Sequence, residues 1–194
     1  MSKLNIFLLI ILAFMLIFAR SDDASVLDQK ETVIPTVTST PTPTPRMGKP
    51  LQFSIQKITV DAPVDPVGVD ETGKMLLPLQ VDRVGWYEHG ARPGEVGNAV
   101  MAGHLDSATG EGGIFYNLWM LQPGDEMNIL NENGEILTFI VTENNTYEFD
   151  KVPIDYYFGK SDKKRLNLIT CTGTWNFATQ NYSHRMIVSA ELKE

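Results

Sequence analysis

Beyond about residue 50, apolar positions recur with a period near two, in short runs broken by Gly, Pro and Asn; no long stretch keeps a helical period. Phe53, Ile55 and Ile58-Thr59-Val60 predict a first strand with one slip in its alternation. Pro63, Pro66 and Gly68 impose extended and turning backbone. Gly73 predicts a hairpin-like turn between Val67-Gly68-Val69 and Met75-Leu76-Leu77. Val84 to Tyr87 leads into a Gly/Pro loop, Gly90 to Gly97. Asn98-Ala99-Val100-Met101-Ala102-Gly103-His104 reads as an apolar strand that ends in a histidine. Gly110, Gly112 and Gly113 predict a mobile or sharply turned loop, and Phe115 to Leu121 a short helix closed by Pro123-Gly124. Met127 to Leu130 and Ile136 to Val141 pair around Asn133-Gly134, a strong hairpin signal. Leu166 to Cys171 is a further strand, broken by Gly173, and Met186, Val188, Ala190 and Leu192 alternate in the last. About eight short strands with little helix make the domain all-β, a closed barrel or a sandwich.

The first residues follow a different pattern. Lys3 precedes an apolar run from Leu4 to Ala19, interrupted only by Asn5. Roughly sixteen residues is marginal for a membrane span and long for a signal-peptide core. Arg20, Asp22 and Asp23 follow, with no small-x-small cleavage site, which favours an uncleaved anchor. The leading lysine favours an N-terminus held inside, and the rest of the chain would then lie outside the cell. A lipoprotein is excluded, since it needs a cysteine just after the run and none stands there. Thr36 to Pro45, TVTSTPTPTP, has no apolar period and reads as an extended spacer.

Charge narrows the partners. The net charge is −8, and no basic patch tracks a phosphate backbone, so nucleic acid is a poor partner. A single cysteine excludes an internal disulfide and a cysteine-cluster zinc site. That cysteine, Cys171, draws attention to a strand end. Period two places Leu166, Leu168 and Thr170 on one face and Asn167, Ile169 and Cys171 on the other. Most free cysteines are small buried apolar residues. As a nucleophile Cys171 needs a proton acceptor or a positive neighbour to raise its thiolate fraction. His104 is a candidate for the first. Arg185 opens the final strand, on the face opposite Met186 and Val188, and offers fixed N–H donors for a carbonyl or oxyanion. Spacing alone does not bring the three together.

The motifs do. Gly97-Asn98-Ala99-Val100-Met101-Ala102-Gly103-His104 resembles the segment around the catalytic histidine of sortases. Leu168-Ile169-Thr170-Cys171 resembles their cysteine signature, and Arg185-Met186-Ile187-Val188 their arginine and terminal strand. Phe115-Tyr116-Asn117-Leu118 and Leu121-Gln122-Pro123-Gly124-Asp125 are similar too, so the likeness runs from Phe53 to Leu192. Asp61-Ala62-Pro63-Val64, Gly85-Trp86-Tyr87 and His104-Leu105-Asp106-Ser107 look most like class F sortases.

The resemblance implies an eight-stranded sortase-type β-barrel with short helices over residues 51–194, behind a membrane anchor or uncleaved signal (1–20) and an extracellular Pro/Thr-rich linker (21–50). It implies a cysteine transpeptidase on the surface of a Gram-positive cell. The enzyme would cut a C-terminal sorting-signal peptide through a thioacyl-enzyme and pass the acyl group to an amine, such as that of a cell-wall precursor. By position Cys171 is the nucleophile, His104 the acid and base, Arg185 the carbonyl or oxyanion donor, and Thr170 a contributor to the oxyanion site.

Other features are weaker. Trp175, in the loop after Cys171, is the tryptophan best placed for a substrate contact; Trp86 and Trp119 read as core or groove wall. His89 and His184 read as surface or supporting residues. No metal or other cofactor is expected: His104-x-Asp106 lacks a third ligand, and Glu71, Asp106 and Asp125 are too scattered to argue for calcium. A cysteine hydrolase and a tethered, non-catalytic binding module remain as alternatives. An L,D-transpeptidase would carry a Ser-x-Gly-Cys setting that this chain lacks.

Overall fold

The structure is a computed structural model that describes residues 46–194. The apolar N-terminal run and the whole of Thr36 to Pro45 lie outside the described residues. Eight strands close into a barrel: β1 (Pro50–Ile55), β2 (Val60–Val67), β3 (Val84–Tyr87), β4 (Gly97–Ala102), β5 (Glu126–Asn131), β6 (Ile136–Glu148), β7 (Lys164–Asn176) and β8 (Asn181–Leu192). Their order around the barrel is β1-β2-β3-β4-β7-β8-β6-β5, with β1 and β5 paired to close it. The β2–β3 and β4–β7 pairs are parallel and the others antiparallel. One short helix, α1 (Ile154–Phe158), lies between β6 and β7. Among the described residues no helix is long and apolar enough to cross a membrane.

The alternating residues fill the interior. Phe53, Ile55, Met101, Phe115, Ile129, Phe139, Leu166, Leu168 and Val188 are all fully buried in one cluster. Burying each such side chain contributes about 1.5–3 kcal/mol, so the barrel core is the main source of stability. The β5–β6 hairpin forms around Asn133-Gly134 as the sequence predicts. Gly134 takes a positive φ of 79°, and Asn131 Oδ1 accepts from the backbone N–H of Asn133 and Glu135, at 3.0 Å each.

Several segments differ from the sequence reading. The slip in the first strand is a chain reversal: a 3₁₀ turn at Gln56–Ile58 and a left-handed Thr59, φ 56°, separate β1 from β2. β2 then runs through Pro63 and Pro66. Pro66 pairs with Trp86 of β3 in the parallel ladder. The hairpin-like turn between Val67–Val69 and Met75–Leu77 forms, with Gly73 at φ 82°, but its pairing is limited to one antiparallel bridge, Val69 to Met75, and Asp70 Oδ1 accepts from Thr72 and Lys74 within it. The helix expected over Phe115–Leu121 is one 3₁₀ turn, Leu118–Met120.

Gly173 does not end the cysteine strand. β7 continues to Asn176, and the register against β8 shifts between Thr172 and Trp175. Gly173, with φ 86°, sits in this β-bulge, where the extra backbone is absorbed without ending the pairing. Cys171 is therefore inside a strand, just before a bulge. Arg185 is likewise inside β8 and does not open it, because the bulge carries β7–β8 pairing beyond the barrel wall to Asn176 and Asn181.

Candidate active site

Strand register brings the sulfur and the guanidinium together. Cys171 and Arg185 are direct cross-strand partners in the β7–β8 ladder. Residues facing each other in this way have Cβ atoms about 4.5–5.5 Å apart. Both point away from the core face, which takes Thr170 and Met186. His104 reaches the same rim from the other side. β4 runs parallel to β7 up to the pair Ala102 and Ile169. Gly103 N–H then donates to Ile169 O at 3.1 Å, and Thr170 Oγ1 donates to Gly103 O at 2.9 Å. These bonds fix where the chain leaves β4 and turns into His104. Gly113 closes the following loop against it: a Cβ at 113 would lie 2.5 Å from His104 O. The glycine-rich loop is thus sharply turned and packed.

Cys171 is half-buried and lines two grooves. The first, of about 490 Å³, is lined by Phe149, Val152, Ile154 and Phe158, by Met75 and Leu77, and by Arg185. The second, of about 550 Å³, is formed by His104, Asp106, Trp175, Phe177 and Tyr182. Trp175 is partly exposed and meets Tyr182 edge-on, ring centroids 5.1 Å apart. Tyr182 OH donates to Asp106 Oδ2, which joins the loop after β4 to the start of β8. The carboxylate, with burial, pushes the Tyr182 hydroxyl up to about 12.

Electrostatics at the sulfur are mixed. Burial pushes the Cys171 thiol above its ordinary value, Arg185 pulls it down, and Asp106 pushes it up. Arg185 is held by the first residues of its own strand. Its Nη1 donates to His184 O at 2.9 Å and Tyr182 O at 3.3 Å, and its Nη2 to Asn181 Oδ1 at 2.7 Å. A guanidinium has five N–H donors. Nε–H and one Nη2 hydrogen therefore remain without a partner among the described residues.

The first groove's wall rests on a buried polar ladder that the sequence reading missed. Asn98, Asn167 and Ser189 lie side by side on β4, β7 and β8. Ser189 Oγ donates to Asn167 Oδ1 at 2.7 Å, and Asn167 Nδ2 donates to Asn98 Oδ1 at 3.1 Å and Tyr157 O at 2.9 Å. Asn98 Nδ2 donates to Tyr156 O at 3.1 Å and Gly159 O at 2.9 Å. Helix α1 is too short to persist alone, so these amides hold it against the barrel. Asparagines inside otherwise apolar strands were the available signal.

The remaining candidates are dispersed. Trp86 is buried, whereas Trp119 is 62% exposed and is not core; it lies on the outer side of its 3₁₀ turn, where Leu118 takes the buried position. His184 Nδ1 lies 2.7 Å from Ser183 Oγ, and His89 meets Tyr87 edge-on. Among the described residues, no three His, Cys, Asp or Glu side chains converge in a metal-like group.

A thiol, a guanidinium and an imidazole at one rim of a closed mixed barrel are the equipment of a cysteine acyl-transfer enzyme. The sortase-domain family model matches residues 53–193. Similar solved structures include sortase C-1 from Actinomyces oris, with 23% identity, 74% of this chain and 73% of that chain covered, and a TM-score of 0.58. A Clostridium perfringens sortase D5 transpeptidase has 25% identity, 77% and 83% coverage and a TM-score of 0.56. Sortase A from Corynebacterium diphtheriae has 24% identity, 78% and 63% coverage and a TM-score of 0.55. No curated protein matches the chain. The chain belongs to the sortase family and is a cysteine transpeptidase.

Proposed function

We propose that this chain is a class F-like sortase, tethered outside the membrane by residues 1–20 and a spacer over 21–50, with residues 51–194 as its catalytic domain. It cuts a C-terminal sorting signal and joins the new C-terminus to an amine. The observation that carries this reading is the position of Cys171, which lines both grooves and has Arg185 as its cross-strand partner.

In this reading the sorting peptide lies in the first groove, its apolar side chains against Phe149, Val152, Ile154 and Phe158. The Cys171 thiolate attacks the carbonyl carbon of the scissile peptide bond. The unpartnered N–H groups of Arg185 face the charge that develops on that oxygen. Thr170 contributes indirectly: its hydroxyl is engaged with Gly103 and ties the cysteine strand to the His104 loop. His104 gives a proton to the departing amine as the C–N bond breaks, leaving a thioester. The acceptor amine enters past Trp175 and Asp106. It gives a proton to His104, forms the new amide and expels the thiolate. A cell-wall precursor amine suits the location outside the membrane.

Cys171→Ala tests the reading. The variant should fold, yet form no acyl-enzyme with any member of a sorting-peptide library when products are read by mass spectrometry. Turnover in Cys171→Ala would exclude a thioester route, since no other thiol exists. Water rather than amine as the acceptor for every peptide would favour a hydrolase.

A further inference from the structure

His104 has a partner that the reaction does not consume. Its Nε2 lies 2.9 Å from the carbonyl oxygen of Pro78. A carbonyl oxygen accepts hydrogen bonds and has no proton to give. Nε2 must therefore carry the hydrogen, in the neutral ring as in the imidazolium. In the neutral ring the free lone pair is then on Nδ1.

We propose that the Pro78 carbonyl is a positioning group for the transpeptidation: it keeps Nε2 protonated and confines proton exchange with substrate to Nδ1. The inference rests on the reading of His104 as the acid and base. In the forward half-reaction Nδ1 takes the proton given up by the Cys171 thiol, and that proton passes to the leaving nitrogen as the C–N bond breaks. In the second half-reaction the incoming amine returns a proton to Nδ1 as its nitrogen bonds to the thioester carbon and sulfur leaves. The Nε2 hydrogen stays on the Pro78 oxygen throughout. A ring free to choose tautomers would spend part of its time with its lone pair turned to the wrong neighbour.

The carbonyl is held in place by construction. Pro78 lies in the connection from β2 to β3, residues 68–83, which crosses the rim of the barrel and contributes Met75 and Leu77 to the first groove. Both ends of this strap are tied down. Leu76 N–H donates to Gly68 O at 3.0 Å, Ile114 N–H donates to Val81 O at 2.8 Å, and Arg83 pairs with Asp65 through two hydrogen bonds. In its middle Leu77 and Leu79 are exposed, Leu79 by 97%, whereas Pro78 between them is buried. The proline ring is seated over Gly85 of β3. A Cβ at 85 would lie 2.9 Å from Pro78 Cδ and 3.2 Å from both Val67 methyl groups. Gly85 is not among the glycines with positive φ, so the backbone there does not require glycine. Glycine weakens a strand and marks close approach of other groups. Here the missing side chain makes the notch for the proline ring, and the locked proline φ helps direct the carbonyl outward to His104.

The test is a long-range ¹H–¹⁵N correlation spectrum of the full-length chain labelled at its 3 histidines. His104→Gln identifies the His104 signals by their loss. The expected wild-type result is a neutral His104 ring with a pyrrole-like Nε2 and a pyridine-like Nδ1. Gly85→Ala, which touches neither groove, should displace Pro78 and give a mixture of tautomers. Acyl-enzyme formation in Gly85→Ala should slow about ten-fold at unchanged KM, a fraction of the roughly 10²–10⁴ that general acid–base catalysis supplies. Pro78→Gly should act the same way if Gly85→Ala does not fold. An Nδ1-protonated ring in the wild type overturns the proposal, as does a tautomer unchanged in both variants. Full turnover in His104→Gln would instead remove the acid–base role and leave the tautomer result standing.

Discussion

At Cys171 burial and Asp106 act against ionisation and Arg185 acts for it. A thiol held above its ordinary value has less thiolate at neutral pH, and removing a nearby negative charge lowers it again. Asp106→Asn should therefore move the pH profile of Cys171 alkylation by iodoacetamide to lower pH, and Arg185→Ala should move it to higher pH. Loss of one oxyanion donor costs about a hundred- to thousand-fold in turnover. Arg185→Ala should cut acyl-enzyme formation by that order, and Arg185→Lys should recover only part, because an ammonium lacks the planar donor fork. Arg165→Ala is the comparison. Its guanidinium lies over the Tyr156 ring at 4.9 Å and 3.8 Å from Glu191, so its loss should lower stability more than rate. If Arg165→Ala is the crippling change, the assignment of Arg185 fails. His104, Cys171 and Arg185 were legible as candidates because each sits in a local motif. Asp106 with Tyr182, and Pro78 with His104, were not, because these pairs are distant in the chain and meet only through the fold.

Among the elements, β7 bears most of the arrangement. Its alternation was legible, which placed Cys171 and Arg185 on the face away from Thr170 and Met186. The bulge was not, since a glycine after a short apolar run reads as a stop unless the partner strand is known. Gly173→Ala should destabilise the protein in urea unfolding by more than the roughly 1–2 kcal/mol of a left-handed alanine, because the new Cβ would lie 2.3 Å from Ser183 Oγ. It should also slow the reaction, since the register that pairs Cys171 with Arg185 is set beside it. Helix α1 was illegible for a different reason: five residues carry too little pattern, and amides on neighbouring strands fix its position. Asn167→Ala leaves several buried groups without partners, each at about 1–3 kcal/mol. In that variant KM for a sorting peptide should rise more than kcat falls, because α1 supplies Ile154 and Phe158 to the groove wall.

For the whole molecule, the proposed tether makes a prediction of location. The protein should fractionate with membranes, and protease added to intact protoplasts should degrade the domain. Mature protein free in the medium, beginning near Asp22, would count against an uncleaved anchor. The barrel itself was legible as many short alternating strands, but alternation is shared by barrels and sandwiches, and only the β1–β5 pairing decides between them. Closure has a limit that matters here. The β4–β7 ladder ends at Ala102 and Ile169, whereas β7 continues past Cys171 to Asn176 with only β8 beside it. The barrel is thus seamed below the sulfur and unzipped above it. A strand left open on one side is a template on which an extended chain can add main-chain hydrogen bonds. Amide protons of Cys171–Asn176 that point away from β8 should exchange with deuterium faster than those of Leu166–Ile169. An acceptor peptide held along that edge, on the side of Trp175 and Asp106, should slow them, as it lengthens the seam by a few rungs.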